Sequence, residues 1–164
     1  MFDREILERA EQVLDACRAR GWRLATAESC TGGLVAAALT AIAGSSDVVE
    51  RGLVTYSNEA KTALLGVAPG ILAAHGAVSA ESAAAMAAGA LARAPVDLAV
   101  SITGIAGPGG GSQHKPVGLV YLGLARRGGP CRTERWIFAG DRTAIRRAAL
   151  VRALEWLRET AQAP

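Results

Sequence analysis

Cysteine, histidine, lysine and aromatic residues are all scarce in this chain of 164 residues, and each shortage closes off a class of function. The three cysteines, Cys17, Cys30 and Cys131, are odd in number and show no Cys-x-x-Cys spacing. That argues against a disulfide framework and against a zinc site, and makes a reducing cytoplasm the expected setting. The two histidines, His75 and His114, sit in no ligand pattern, so neither a metal centre nor a His-based triad is supported. No apolar run approaches the ~20 residues of a membrane span, and residues 34–43 fall far short of it. The first five residues are charged and helical in pattern, unlike a signal peptide. The net charge of +3 permits an anionic ligand without demanding nucleic acid. Arginine gathers between 126 and 158, but Glu134, Asp141, Glu155 and Glu159 are interspersed and no basic run carries interleaved aromatics. An alternating-charge helix face explains that stretch better than a nucleic-acid surface.

What is present is apolar material, 51% of the residues, enough for one domain over 1–164 with a real core. Periodicity predicts a helix over 3–20 with Ile6, Leu7, Ala10, Val13, Leu14 and Cys17 on one face, capped by Asp3 and stopped by Gly21. A mostly apolar run at 22–28 predicts a strand buried on both faces. A helix is expected over about 31–42, then a loop in which Asp47 and Glu50 resemble a capping box. Residues 52–57 read as a strand, and Asn58 as the cap of a helix that carries Lys61, Leu64 and Leu65 to Gly66. A short helix or loop starts at Pro69. The alanine-rich helix from Ala80 to about Arg93 is thin enough to pack closely on a sheet or on another subunit. Strands are expected at 97–103, 116–125 and 131–138, the last two joined by a turn at 127–130. Asp141 caps a final helix that buries Ile145, Ala149, Leu150, Ala153, Leu154 and Leu157. The pattern defines a three-layer α/β/α domain with a mixed, mainly parallel central sheet and a late antiparallel hairpin. Ligands of such folds bind beyond the carboxyl ends of the strands, where Ser29, Ser57 with Asn58, and Thr103 with Gly104 would meet.

The chemistry-bearing residues lie at those strand ends. Ser29 and Thr31 sit in a strand–turn–helix stretch that closes on Gly32 and Gly33. Either is a helix cap, or Ser29 is a nucleophile beside amide groups able to hold an oxyanion. Only Lys61 and Lys115 are lysine; the other 16 of the 18 basic residues are arginine. Lysine can lose its proton where its surroundings discourage charge, and arginine cannot. Near a helix N-terminus, Lys61 would be such a case, and a neutral amine could take a proton from a serine. The alternative is an exposed lysine held by Glu59 or water. Tyr56 is a proton relay or an ordinary strand residue; Glu28 orients the turn, holds substrate or makes a surface ion pair. The glycine-rich stretch 103–112 exposes amides suited to phosphate or carboxylate, but it matches neither the dinucleotide fingerprint nor the P-loop. Ser112-Gln113-His114-Lys115 has Ser-x-x-Lys spacing without the partner motifs that would give it meaning. Cys30 has no His partner and is expected to pack in the turn.

Four segments taken together, Ala27-Glu28-Ser29-Cys30-Thr31-Gly32-Gly33, Thr55-Tyr56-Ser57-Asn58-Glu59-Ala60-Lys61, Gly76-Ala77-Val78-Ser79 and Thr103-Gly104-Ile105-Ala106-Gly107-Pro108, resemble the nicotinamide-nucleotide amidohydrolase (NMN deamidase) family. That family also occurs as the C-terminal domain of the competence-damage-inducible protein CinA, and this chain looks like its stand-alone form. The resemblance implies hydrolysis of nicotinamide mononucleotide to nicotinate mononucleotide and ammonia, without metal or cofactor, by a cytoplasmic homo-oligomer that engages neither membrane nor nucleic acid. Ser29 would be the nucleophile, Lys61 its base and Tyr56 an assistant. Glu28, Thr31, Gly32, Gly33, Thr103, Gly104, Gly107, Gly109, Gly110 and Lys115 would surround the substrate, with the oxyanion held near residues 31–33. One departure stands in the loop, where the family often has an acid and this chain has His114. The rival readings are a non-catalytic pyridine-nucleotide-binding or interaction module, and an amidase for another small amide.

Overall fold

The apolar runs become five strands in a computed structural model that describes residues 1–164: β1 (Leu24–Glu28), β2 (Val49–Val54), β3 (Leu98–Gly104), β4 (Leu119–Arg126) and β5 (Arg132–Ile137). They form one sheet in the order β2-β1-β3-β4-β5. β1 pairs in parallel with β2 and β3, and the two later pairings are antiparallel. With a strand on each side and a helical layer over each face, β1 is buried at every position, which is why its sequence could be apolar without alternation.

Six helices supply the outer layers: α1 (Arg4–Arg20), α2 (Leu34–Thr40), α3 (Asn58–Leu65), α4 (Pro69–His75), α5 (Ala80–Arg93) and α6 (Arg142–Gln162). α1, α2 and α6 cover one face. There Val13, Leu14, Leu39 and Leu154 pack with Leu98, Val100 and Ile102 in the main apolar cluster. The opposite face carries α3, α4 and α5 over small residues, Ala25, Ala27 and Ala99. α5 lies so close that Ser101 Oγ donates to the Ala83 carbonyl at 2.6 Å. A methyl group added at Gly123 of β4 would overlap Ala83, and one added at Gly89 of α5 would overlap Leu65. The alanine helix is therefore thin in order to approach the sheet. No helix is long and apolar enough to cross a membrane.

The predicted caps at Asp3 and Asp141 accept from Ile6 and Ala144, and Gly21 closes α1 in a left-handed conformation. Every residue expected on the buried face of α6 is buried, as is the α1 face except the half-buried Leu7. Four expectations shift. α2 begins at Leu34, not near residue 31, and its N-cap is Gly33 with no side-chain cap, so neither Ser29 nor Thr31 caps it. β2 begins at Val49, ahead of Gly52, because a half-exposed edge strand tolerates the charged pair Glu50 and Arg51. Asp47 and Glu50 form no capping box: residues 45–47 make one 3₁₀ turn, Asp47 pairs with Arg18, and Glu50 lies in β2 beside Arg51. α3 is capped by Ser57, whose hydroxyl accepts from the Ala60 amide, so Asn58 is the first helical residue and Lys61 the fourth.

Candidate active site

Ser29 leaves the end of β1 and enters a turn that is fixed from both sides. Its own amide donates to Ile102 of β3, and its carbonyl accepts from Gly32. Glu28 is fully buried beneath the turn. Its carboxylate accepts from the amides of Gly33, Val35 and Ala36 at 2.9–3.1 Å and from Thr26 Oγ1 at 3.2 Å. A buried carboxylate is tolerable here because the first amides of α2 lack helical partners and present the positive end of its dipole. From the other side Arg146 of α6 donates to the carbonyls of Cys30 and Thr31 at 3.0 and 2.9 Å. The amides of Cys30 and Thr31 donate to no other group of the chain.

Lys61 reaches back from α3 into the same place. Its side chain is 1% exposed. Nζ lies 2.7 Å from the Thr55 carbonyl and 3.1 Å from Ser29 Oγ, with no carboxylate among its partners. Burial pushes the amine's pKa down, opposed by the charge influence of Cys30. In the ammonium form Nζ donates to Ser29; in the neutral form the serine hydroxyl donates to Nζ across the same separation. The arrangement is a hydroxyl with a poised amine beside it. Cys30, the rival nucleophile, is buried, and burial raises its thiol to about 11. It is a thiol at neutral pH, not a thiolate.

Ser29, Cys30, Tyr56, Lys61, Thr103 and Gly104 border a cleft of about 300 Å³, closed on another side by Gly107, Gly109 and Gly110. Thr103 Oγ1 donates to the Ala77 carbonyl and ties that wall to the segment before α5. A larger and more open groove, about 580 Å³ between α3 and α4, has Asn58, Thr62 and Leu72 on its walls but no nucleophile–base pair. No three His, Cys, Asp or Glu side chains stand together as a metal site would require.

Several expected contacts fall elsewhere. Glu28, Thr31, Gly32 and Gly33 do not border the cleft; they build the turn beneath it. The Gly32 and Gly33 amides are taken by Ser29 and Glu28, which moves the uncommitted donors from 31–33 to 30–31. Lys115 also lies outside the cleft, its Nζ donating to His75 at the C-terminus of α4, where exposed carbonyls favour a cation. Tyr56 does border the cleft, but its hydroxyl accepts from Arg142 Nη2 at 2.8 Å and does not reach Lys61. Arg142 and Arg146 were missed in the sequence, hidden in an arginine-rich helix whose charge pattern marked only a solvated face.

The chain is a three-layer α/β domain whose central sheet is closed by an antiparallel pair, with a serine at the end of β1 and a buried lysine amine 3.1 Å from its oxygen. The model of the CinA C-terminal domain family matches residues 7–161, and the chain belongs to that family. Among its relatives, nicotinamide-nucleotide amidohydrolase PncC of Escherichia coli K12 is 54% identical over 157 residues, covering 96% of this chain and 95% of that one. A CinA-like protein of Geobacter sp. strain M21 is 55% identical over 155 residues, which is 94% of this chain but 37% of the longer protein. The crystal structure of competence/damage inducible protein CihA from Agrobacterium tumefaciens, 48% identical, superimposes with a TM-score of 0.96 over 99% of both chains.

Proposed function

We propose that this chain hydrolyses the carboxamide of nicotinamide mononucleotide to nicotinate mononucleotide and ammonia, with Ser29 as nucleophile and Lys61 as its base. The names of the relatives suggest the substrate. The observation that carries the chemistry is the buried Lys61 amine 3.1 Å from Ser29 Oγ. Lys61 in its neutral form takes the hydroxyl proton as Oγ adds to the amide carbon. The carbonyl of Thr55, 2.7 Å from Nζ, keeps the amine in place. The cationic pyridinium ring makes the amide carbon more electrophilic.

The developing oxyanion needs donors already aimed at it, each worth about 10²–10³ in rate. The Cys30 and Thr31 amides are the candidates. A trans peptide points its N–H opposite to its C=O. Arg146 holds the Cys30 carbonyl, so the same contact orients the Thr31 N–H. The Gly32 amide holds the Ser29 carbonyl and so orients the Cys30 N–H. Lys61, now protonated, returns its proton to the departing nitrogen, which leaves as ammonia. Water then adds to the nicotinoyl ester, Lys61 again taking the proton, and Ser29 Oγ is released with its hydrogen. No step falls to Tyr56, whose hydroxyl is engaged by Arg142.

Ammonia release from nicotinamide mononucleotide by wild type, Ser29→Ala and Lys61→Ala, each confirmed folded by circular dichroism, tests the reading. Turnover by the wild type with loss of about 10²–10⁴ in both variants is expected. Binding without release by the wild type would replace the amidase with a nucleotide sensor.

A further inference from the structure

Ser29 follows the carboxyl end of β1; β3 runs parallel to β1 and β4 antiparallel to β3, so Arg126, at the end of β4, stands at the opposite end of the sheet. A cavity of about 210 Å³ lies there, lined by Leu124, Arg126, Pro130, Arg132, Thr160 and Ala163. Leu124 pairs directly with Arg132 across the β4–β5 ladder. Side chains alternate between faces along a strand, so Arg126 and Arg132 project from the same face, one diagonal step apart. Two guanidinium groups so placed repel each other unless an anion lies between them.

Aromatic faces, not acids, hold these groups. Arg132 lies 5.7 Å over the Trp156 ring and donates from Nη2 to Thr160 Oγ1 at 3.0 Å. Arg126 lies 6.0 Å over Trp22, whose ring also carries Arg20 at 4.8 Å, and Arg20 covers the Ala163 carbonyl. A guanidinium stacked on a ring keeps its in-plane N–H groups for an acceptor. Elsewhere arginines meet carboxylates: Arg18 pairs with Asp15 and Asp47, and Arg147 with Asp3 and Glu5. Glu134, two residues on from Arg132, gives both its oxygens to Arg152. Thr160 adds an independent sign. It is 4% exposed, its oxygen accepts from Arg132, and its own hydroxyl donates to no group of the chain. A buried donor on a cavity wall is costly unless something in the cavity accepts from it.

We infer that Arg126, Arg132 and Thr160 form a binding site for a small tetrahedral oxyanion, of the phosphate or sulfate class, at the end of the molecule opposite Ser29. Two guanidinium forks and a hydroxyl donor, with no carboxylate on the wall, match such an ion. The cavity is smaller than the roughly 300 Å³ at which pockets for drug-sized ligands begin, which selects a free ion over a nucleotide. An ion bound there ties β4 and β5 to the last turn of α6, the helix that carries Arg146 onto the Ser29 turn. Neither Ser29 nor Lys61 takes part, so the site stands whether or not the chain is an amidase.

The three tryptophans of the chain supply the readout. Trp22 and Trp156 carry Arg126 and Arg132, Trp136 stacks on Phe138, and none of the three borders the cleft. Their indole N–H signals, assigned with Trp22→Phe, Trp136→Phe and Trp156→Phe, are followed in a proton–nitrogen correlation spectrum as inorganic phosphate replaces chloride at constant ionic strength. Saturable shifts of the Trp22 and Trp156 signals are expected, with Trp136 unmoved. Arg126→Met and Arg132→Met should each weaken the apparent affinity about tenfold or more, and Thr160→Val, which keeps the shape and removes the hydroxyl, by about 2- to 10-fold. Two arginine variants keep the test alive if one of them fails to fold. Absence of a saturable shift overturns the site, as does a midpoint unchanged in a folded arginine variant. A tighter midpoint for ribose 5-phosphate than for inorganic phosphate would overturn the assignment to a free ion.

Discussion

The turn that carries Ser29 and the loop at 104–118 border one cleft and are held in opposite ways. The turn is fixed by four donors on Glu28, two guanidinium bonds from Arg146 and a bond from Ser29 to β3. The loop is held by bonds between Ile105 and Leu119 and between Ile105 and Gly118, by Ser112 to Lys115, and by one guanidinium bond from Arg142 to the Gly107 carbonyl. Between those anchors a side chain added at Gly109 would meet nothing within 4 Å. The difference follows the work each does. A reacting oxygen misplaced by 1 Å costs about 10² in rate, so its support is over-determined. Under the proposed mechanism the loop carries no reacting atom, so nothing in it demands the same support.

Changes on the turn side should cost most. Lys61→Arg keeps a positive charge but cannot give up its proton, and turnover should fall by about 10²–10⁴; near-normal turnover would end the neutral-base mechanism. In the wild type, activity should rise with pH through the lowered pKa of Lys61. Stability should rise too. Below that pKa the buried ammonium carries its full desolvation cost, and above the ordinary value of 10.5 both folded and unfolded chains hold a neutral amine, so the cost disappears between the two. Lys61→Arg should lack this rise in melting temperature, and an identical slope in both proteins would place the titration elsewhere.

Glu28→Gln comes next. It sets an amide N–H₂ against three backbone N–H groups, at a cost of about 1–3 kcal/mol. The melting temperature should fall by roughly 2–12 °C, with turnover down by up to about 10² through loosening of the turn. Wild-type melting and turnover would show that the turn stands without its carboxylate. The smallest effect belongs to the loop: Gly109→Ala should shift stability by no more than about 1 kcal/mol. A melting temperature lowered as far as in Glu28→Gln would erase the contrast between the two segments.

Most of the fold and half of the site were legible because they depend on local chemistry. Caps at Asp3 and Asp141, the stop at Gly66 and the apolar face of α6 all act within a turn or two of chain. Ser29 and Lys61 stood out by residue type and by position at strand ends, although nothing in a separation of 32 residues fixed their distance. Arg142 was illegible for the opposite reason. Its partners Gly107 and Tyr56 lie 35 and 86 residues away, and an arginine beginning a charged helix has no local mark of a cleft-facing role. Glu28 was visible as a residue with work to do, but its four donors could be known only once α2 was folded over it.

The near contact of α5 with the sheet acts as a gauge. Gly89 and Gly123 set the spacing of that layer, and the segment leading into α5 also holds Thr103 through the Ala77 carbonyl. One added methyl group in a layer far from the reacting atoms would therefore lift the helix and widen the mouth of the cleft. The atoms such a methyl group would meet are the backbone carbonyls of Leu65 and Ala83, which no opposing substitution removes, so both positions are held to glycine and the aperture of the site is inherited from the dimensions of its flooring.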